Sequence, residues 1–131
     1  MIRQFVRGKK EKLSKNFYST EFDCKCEHSD CVVTYVGEDL ISSLQAFRDR
    51  VGPLVISSGF RCVKHNGLVG GKPQSLHVLG LAVDISSRLI APKQLAKMAC
   101  RIEGFSQSGI GVYERHIHCD VGRPKPVRWV G

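Results

Sequence analysis

Two short segments in the second half of the chain carry most of the side chains that could do chemistry. The first contains His77 and Asp84, and the second contains His116 and His118. Imidazole nitrogen and carboxylate oxygen are ligands that zinc accepts in tetrahedral sites, and a catalytic zinc site keeps one position for water. His77, Asp84 and His118 would supply three ligands and leave the fourth position open. This set is typical of a zinc hydrolase.

Strand geometry supports the second segment as part of a site. If residues 112–120 are extended, alternate side chains project from one face. That face then carries four ionisable groups, namely Glu114, His116, His118 and Asp120. Charged and polar groups in such a line rarely belong to a core. A tight turn near Arg115 would remove Glu114 from this face and leave the other three in place.

Each of these residues also has an ordinary structural interpretation. A single histidine is more often hydrogen-bonded or solvated than bound to a metal, and a His-x-His pair also occurs on plain surfaces. Asp84 precedes Ser86 and Ser87, so its carboxylate could instead stabilise a turn. The joint occurrence of both segments favours the metal site over these alternatives.

A second candidate site lies where three of the six cysteines are clustered. Cys24, Cys26 and Cys31, with His28 as a fourth ligand, could bind a structural zinc ion. Their spacing is tighter than that of the usual zinc fingers, so free thiols or one disulfide are the alternatives. No apolar signal region follows the basic start. We therefore expect a chain made in the cytoplasm, or exported by a route that the sequence does not show, without a disulfide framework.

Length and composition predict one globular domain. The chain has 131 residues, of which 42% are apolar and 24% charged, as is ordinary for a soluble protein. No stretch approaches the roughly 20 apolar residues that a membrane span needs. We expect residues 1–15 to form a loose, basic N-terminal arm and residues 16–131 to form the domain.

The formal net charge of +8 indicates which kinds of partner the protein could bind. Such charge could steer the protein to an anionic polymer, either nucleic acid or bacterial cell wall, or it could serve solubility alone. The hypothesis of a nucleic-acid-binding protein with a Cys/His knuckle depends only on this charge and on the cysteine cluster. The chain carries no recognised nucleic-acid motif, so nucleic acid is not the expected partner.

Apolar spacing predicts the elements that must position these residues. Leu40, Leu44 and Phe47 lie on one stripe of a helix that begins at Glu38 and ends at Gly52. Strands are predicted at 54–57 and 82–85, a second helix at 92–103, and one or two strands within 108–121. Residues 24–37 are predicted to be irregular. The pattern favours an α+β fold with helices packed on a small antiparallel sheet.

The order Ser75-x-His77-x-x-Gly80-x-Ala82-x-Asp84, followed by His116-x-His118, resembles a known group of zinc peptidases. The group includes D-Ala-D-Ala carboxypeptidases, L-Ala-D-Glu endopeptidases and the hedgehog signalling domain. The chain resembles in particular the small M15-type peptidases of bacteria and phages. The resemblance covers about residues 16–129 and includes Ser57–Arg61, Gly109–Tyr113 and Arg128–Trp129. It implies a fold like that of the hedgehog domain and the D-Ala-D-Ala peptidases.

The resemblance also implies roles for single residues. His77, Asp84 and His118 would bind the zinc ion, with Ser75 and Asp120 behind them. Arg61 would face the substrate, and His116 would stabilise charge on the reacting carbonyl oxygen. Many members carry an acidic general base three residues before the last ligand, where this chain has Arg115. Glu114 is therefore the predicted base, with Asp120 as the alternative.

The function implied is that of a zinc metallopeptidase acting on peptidoglycan stem peptides through metal-activated water. It would be a carboxypeptidase or an endopeptidase, with one catalytic zinc ion and room for a second, structural one. We expect a monomer that reaches the cell wall as a phage or prophage lysis enzyme (an endolysin). A virion-associated peptidase and a cytoplasmic peptidase are the alternatives. The alternative, favoured by Arg115 at the usual base position, is a zinc-stabilised binding module of the same fold without activity.

Overall fold

Seven strands and four α-helices make up the chain, and the computed structural model describes all of residues 1–131. The strands are β1 (Ile2–Val6), β2 (Val33–Gly37), β3 (Val55–Ser58), β4 (Ala82–Ser86), β5 (Gly109–Val112), β6 (Ile117–Asp120) and β7 (Val127–Val130). The helices are α1 (Glu38–Val51), α2 (Val63–Leu68), α3 (Pro92–Ala99) and α4 (Glu103–Ser106), with a 3-10 helix at Ser19–Phe22. The α+β class predicted from the sequence is confirmed. None of the helices combines the length and apolar character that crossing a bilayer requires.

Five strands form the main sheet, in the order β3-β4-β6-β5-β7. The first four are antiparallel neighbours, whereas β7 runs parallel to β5. The sheet is therefore mixed at one edge, because the chain crosses back after β6 and starts β7 beside the beginning of β5. A tight turn joins β5 to β6, and in it the Tyr113 amide donates to the His116 carbonyl at 3.0 Å.

The N-terminal residues form a strand, in contrast to the loose arm expected from the sequence. β1 pairs antiparallel with β2, from Ile2 opposite Gly37 to Val6 opposite Val33. Phe5 of β1 is buried in the main core. A two-stranded ribbon is marginal by itself, so this packing is what stabilises it. The domain boundary between residues 15 and 16 stays a prediction.

The main core lies between one face of the large sheet and the helices. Leu40, Leu44 and Phe47 of α1 are fully buried, as their stripe predicts. From the central strands, Val83 and Cys119 point into the same core. Because strand side chains alternate, the next residues along these strands point to the opposite face of the sheet.

The second predicted helix is divided into α3 and α4. α3 ends at Ala99, and a tight turn leads into α4 at Glu103. Gly104 of α4 lies so close to α1 that a Cβ there would collide with the Ser43 hydroxyl. A single straight helix could not turn to make this contact, and apolar spacing alone does not reveal it.

Candidate metal centre

The polar face of the central strands carries two of the predicted zinc ligands. Asp84 on β4 lies directly opposite His118 on β6. Residues that are directly opposite in an antiparallel pair share a face and lie close together. Both side chains therefore point away from the core and toward each other.

The third predicted ligand comes from the turn before β4. His77 is brought over the sheet by a chain reversal that ends at Gly80, which has a φ of 77°. Gly80 also packs directly on the Tyr35 carbonyl, where any Cβ would collide. Only glycine satisfies both the left-handed backbone and this close approach.

These three side chains converge on one point. The Nε2 atom of His77 lies 3.2 Å from Oδ1 of Asp84, and the Nδ1 atom of His118 lies 3.3 Å from the same oxygen. One donor atom from each residue lies within 4.8 Å of the others. All three residues are buried. Two segments that are distant in the sequence thus form one cluster.

In the His77 and His118 rings, the nitrogen that points away from Asp84 already has a hydrogen-bond partner. The Nδ1 atom of His77 lies 2.7 Å from the Gly59 carbonyl, and Nε2 of His118 lies 2.7 Å from Oδ2 of Asp120. Both outer contacts are to acceptors, so each ring donates its N–H outward. A neutral imidazole then turns its second nitrogen, a lone-pair acceptor, toward Asp84. Three acceptor atoms that face one another require a cation or shared protons between them. Two nitrogens and one oxygen are a donor set that fits zinc.

Asp120 holds the His118 ring from behind. Its carboxylate is fully buried and accepts from the Gly109 amide at 2.7 Å, from Nε of Arg123 at 3.0 Å, and from the Ser108 hydroxyl. Burial acts to raise the pKa of Asp120, but the hydrogen bonds from His118 and Ser108 outweigh it and lower that pKa. A carboxylate behind an imidazole ligand fixes the ring and raises its basicity. This arrangement suits a supporting role.

The electrostatics of the cluster show what holds it together without a metal. Burial acts to raise the pKa of Asp84, but hydrogen bonds from His118 and His77 hold it below its ordinary range. Burial acts to lower the pKa of His118, but the hydrogen bonds with Asp120 and Asp84 raise it. Hydrogen bonds between these groups hold the cluster together, and a bound cation would replace them.

A cavity of about 430 Å³ opens onto the cluster. Arg61, Lys72 and Arg123 bring positive charge to its lining. The guanidinium of Arg61 lies 3.2 Å from Oδ2 of Asp84 and 3.3 Å from Oδ1 of Asn66. Arg61 pairs with Asp84 and Arg123 with Asp120, and Lys72 adds a further positive charge to the lining, so the cavity favours an anionic group.

His116 and Tyr113 form another part of the cavity lining. Their rings are stacked, with centroids 4.6 Å apart and planes 8° apart. The Nε2 atom of His116 lies 3.8 Å from Oδ2 of Asp84. The Tyr113 hydroxyl accepts from Nε1 of Trp129 at 2.9 Å, and this indole packs against the His118 ring at 5.0 Å. Sequence reasoning assigned no role to Tyr113, because only the turn between β5 and β6 stacks its ring on His116.

Two other predicted site residues, Glu114 and Ser75, are not part of this cluster. Glu114 is exposed on the turn between β5 and β6 and is not among the residues that line the cavity. Ser75 does line the cavity, and its hydroxyl accepts from the His77 amide at 3.2 Å. It therefore contacts the backbone of His77 and not its ring. The catalytic role of Glu114 stays a prediction.

The cysteines form a separate cluster. The sulfur atoms of Cys24, Cys26, Cys31 and Cys62 lie within 4.8 Å of one another, and none is in a disulfide. His28, the fourth member expected from the sequence, is not part of this group. Cys62 takes that place because the loop after β3 brings it next to Cys24, a contact between distant parts of the chain that sequence spacing does not reveal.

Comparison with known protein families agrees with this geometry. A family model described as Peptidase M15 matches residues 15–120. A search of curated proteins gave no match to the chain. The matched region contains His77, Asp84, His118 and the lining residues Arg61 and His116. It covers most of the chain, and so the protein belongs to the Peptidase M15 family and is a peptidase.

Proposed function

We propose that the protein is a zinc-dependent peptidase that hydrolyses peptide bonds in bacterial cell-wall stem peptides. The observation that carries this proposal is the convergence of His77, Asp84 and His118 at the floor of an open cavity. The inner nitrogens of both rings face the Asp84 carboxylate, which also pairs with Arg61 at 3.2 Å. Such a set has three protein ligands and an open side, as catalytic zinc sites do.

A bound zinc ion would supply a Lewis acid that polarises the scissile carbonyl and acidifies a water molecule. The surrounding residues keep the ligands in place: the Gly59 carbonyl orients His77, and Asp120 orients His118. Arg61 lies at the edge of the cluster, where its guanidinium can hold a carboxylate or the developing oxyanion of the substrate.

Peptide hydrolysis also needs a group that accepts a proton from water and returns one to the leaving amine. Among the residues that line the cavity, His116 is the one imidazole outside the ligand set, and imidazole is the side chain that serves most often in general acid–base catalysis. Its distance of 3.8 Å from Asp84 supports this role. We propose His116 as this proton carrier. Glu114, the base predicted from the sequence, is the competing assignment and would have to reach into the cavity from its exposed turn.

The charge of the cavity supports the choice of substrate. Stem peptides of peptidoglycan carry free carboxylates, and Arg61 and Lys72 in the cavity lining offer positive charge to bind them, whereas Arg123 is already paired with Asp120. The net charge of +8 would also concentrate the protein on an anionic wall. We further propose that the protein acts there as a monomer, carried by a phage or prophage.

Digestion of purified peptidoglycan tests the proposal, with the products identified by mass spectrometry. The wild type is expected to release cleaved stem peptides, and His118→Ala none. Loss of cleavage in His116→Gln with retention in Glu114→Gln would support His116 as the proton carrier, and the reverse would support Glu114. The products also separate carboxypeptidase from endopeptidase cleavage.

Two observations favour a second function. Arg115 occupies the position of the usual acidic base, and Glu114 lies outside the cavity lining. A zinc-stabilised module that binds stem peptides without cleaving them would account for both. Intact muropeptides after incubation with zinc-loaded wild type, together with retained binding to the wall, would select this alternative.

A further inference from the structure

We propose that Cys24, Cys26, Cys31 and Cys62 form a second metal site, a structural zinc tetrathiolate. The site ties the loop of residues 23–32 to the segment that carries Arg61. It is separate from the proposed catalytic centre and does not depend on the function proposed for that centre.

The sulfur geometry fits a tetrahedral ion. Zinc–sulfur bonds of about 2.3 Å place the four sulfurs of a tetrahedral site roughly 3.8 Å apart. The four Sγ atoms already lie within 4.8 Å of one another, and all four are free thiols. Small side-chain movements would therefore close the shell. Four thiolates complete the coordination, and a site with no open position is typical of structural zinc.

Backbone and side-chain N–H groups surround the sulfurs. The Cys62 amide donates to Sγ of Cys24 at 3.3 Å, and the His65 amide donates to Sγ of Cys62 at 3.4 Å. The guanidinium of Arg7 donates to Sγ of Cys26 at 3.3 Å. Such donors orient metal-binding sulfurs and stabilise their negative charge. The donors come from two separate parts of the chain, Arg7 after β1 and residues 62–65 at the start of α2.

Arg7 also gathers the backbone of the cysteine loop. Its guanidinium donates to the carbonyls of Cys24 and Cys31, each at 2.9 Å, and to the Cys26 carbonyl. Four thiolates around one Zn²⁺ carry a net charge of −2, and the cation of Arg7 lies where it offsets part of this charge. Arg7 would therefore both hold the backbone of the cysteine loop and offset part of the charge of the site.

The loop has little else to hold it. Residues 23–32 contain no helix or strand. Their buried cysteines, Cys24 and Cys26, form a small cluster with Phe60 that is separate from the main core, and the partly buried Cys31 and Cys62 pack against it. Small regions without an adequate apolar core are commonly stabilised by a metal or by disulfides. Two disulfides are therefore the competing chemistry for these four sulfurs.

The site has a consequence for the cavity. Cys62 directly follows Arg61, and the Arg61 amide donates to the His77 carbonyl at 3.1 Å. On the other side, the Phe60 amide donates to the Phe22 carbonyl at 2.8 Å. An ion bound to Cys62 would fix the loop of residues 59–62 between β3 and α2, and with it the position of the Arg61 side chain beside Asp84.

Zinc content and cobalt spectroscopy test the proposal on the purified full chain. We expect two zinc ions per wild-type chain and one in the double variant His77→Ala/His118→Ala. That remaining ion, replaced by cobalt, should give the intense charge-transfer absorption of a tetrahedral thiolate site. Cys62→Ser should lose this absorption or reduce it strongly. Cys100→Ser, which changes an exposed cysteine outside the cluster, and His28→Ala should leave it unchanged.

X-ray absorption at the zinc edge keeps the test decisive if Cys62→Ser does not fold. In the double variant His77→Ala/His118→Ala, the proposal predicts four sulfur neighbours at about 2.3 Å. A shell that contains nitrogen and is lost in His28→Ala would overturn it. So would a double variant without zinc, or a mass that shows two disulfides in protein purified under reducing conditions.

Discussion

The metal centre and the cysteine cluster are built in different ways. Asp84 and His118 of the metal centre lie on adjacent strands in fixed register, and each imidazole is held from behind by a buried acceptor. The cysteine cluster lies on a loop and at the start of α2, and Arg7 and backbone amides hold it. The first site faces a cavity and offers three possible ligands, whereas the second offers four and is partly buried. An open shell suits chemistry, and a closed shell suits stability.

Removal of one ligand from each site should separate these two roles most strongly. His118→Ala should abolish detectable peptide cleavage, because the open site loses a ligand that orients the metal. Cys62→Ser should instead lower the Tm by about 10 °C, since loss of a structural ion removes a few kcal/mol of stability. The measurements are muropeptide release and thermal unfolding of the zinc-loaded proteins. Equal losses of activity and stability in both variants would contradict the division of roles.

Asp120→Asn should weaken zinc binding at the metal centre alone. Loss of a carboxylate behind a histidine ligand typically lowers metal affinity by about 10- to 100-fold. Competition with a chelator that has a known zinc affinity measures the effect for each site. The exposed Asp39→Asn is the control. Unchanged affinity at the metal centre would show that Asp120 does not support His118.

Arg61→Lys should affect substrate binding more than turnover. Lysine keeps the positive charge but lacks the planar fork that grips a carboxylate with two N–H groups. We expect KM for a stem peptide to rise by about tenfold with a smaller change in kcat. The control is Lys64→Arg, an exposed basic residue nearby. A fall in kcat without any change in KM would show that Arg61 acts on the transition state only.

The pH dependence of stability should change sign when the metal is removed. The pKa of His118 is raised in the metal-free protein, so its contribution is present below about pH 6.5 and is lost as the pH rises through the raised value. With zinc bound, the ring is held deprotonated, and the same rise in pH strengthens binding. Tm should be measured against pH for both forms.

His118→Gln is the matched control for this pH experiment. Burial acts to raise the pKa of Cys26, but hydrogen bonds, chiefly from the His28 backbone, lower it to about 7. Its titration is common to wild type and variant and cancels in their difference. A metal-free wild type whose Tm advantage over His118→Gln grows above about pH 7 would contradict the assignment.

The elements that were predictable have strong local signals. α1 has an uninterrupted apolar stripe and ends at a glycine, and the structure begins and ends it at the predicted residues. β4 was predictable because residues 82–85 are apolar apart from Asp84. β1, β2 and α2 were not, because Arg3 and Gln4 obscure the alternation in β1 and glycines interrupt the pattern around α2. Their stability comes from contacts with distant residues.

The same distinction applies to the two sites. His77, Asp84 and His118 could be singled out because each belongs to a compact motif of chemically active residues. Cys62 could not, since it lies far from Cys31 in sequence and meets it only through the loop after β3. The outward hydrogen bond of His77 to the Gly59 carbonyl was equally hidden, because a backbone acceptor leaves no signature in the sequence.

A crystal structure of the zinc-loaded protein, with anomalous scattering measured at the zinc edge, tests the central claim most directly. The account predicts an anomalous peak bonded to Nε2 of His77, Oδ1 of Asp84 and Nδ1 of His118, with a coordination position open to the cavity. Absence of a peak there, or an ion completely enclosed by protein atoms, would contradict it.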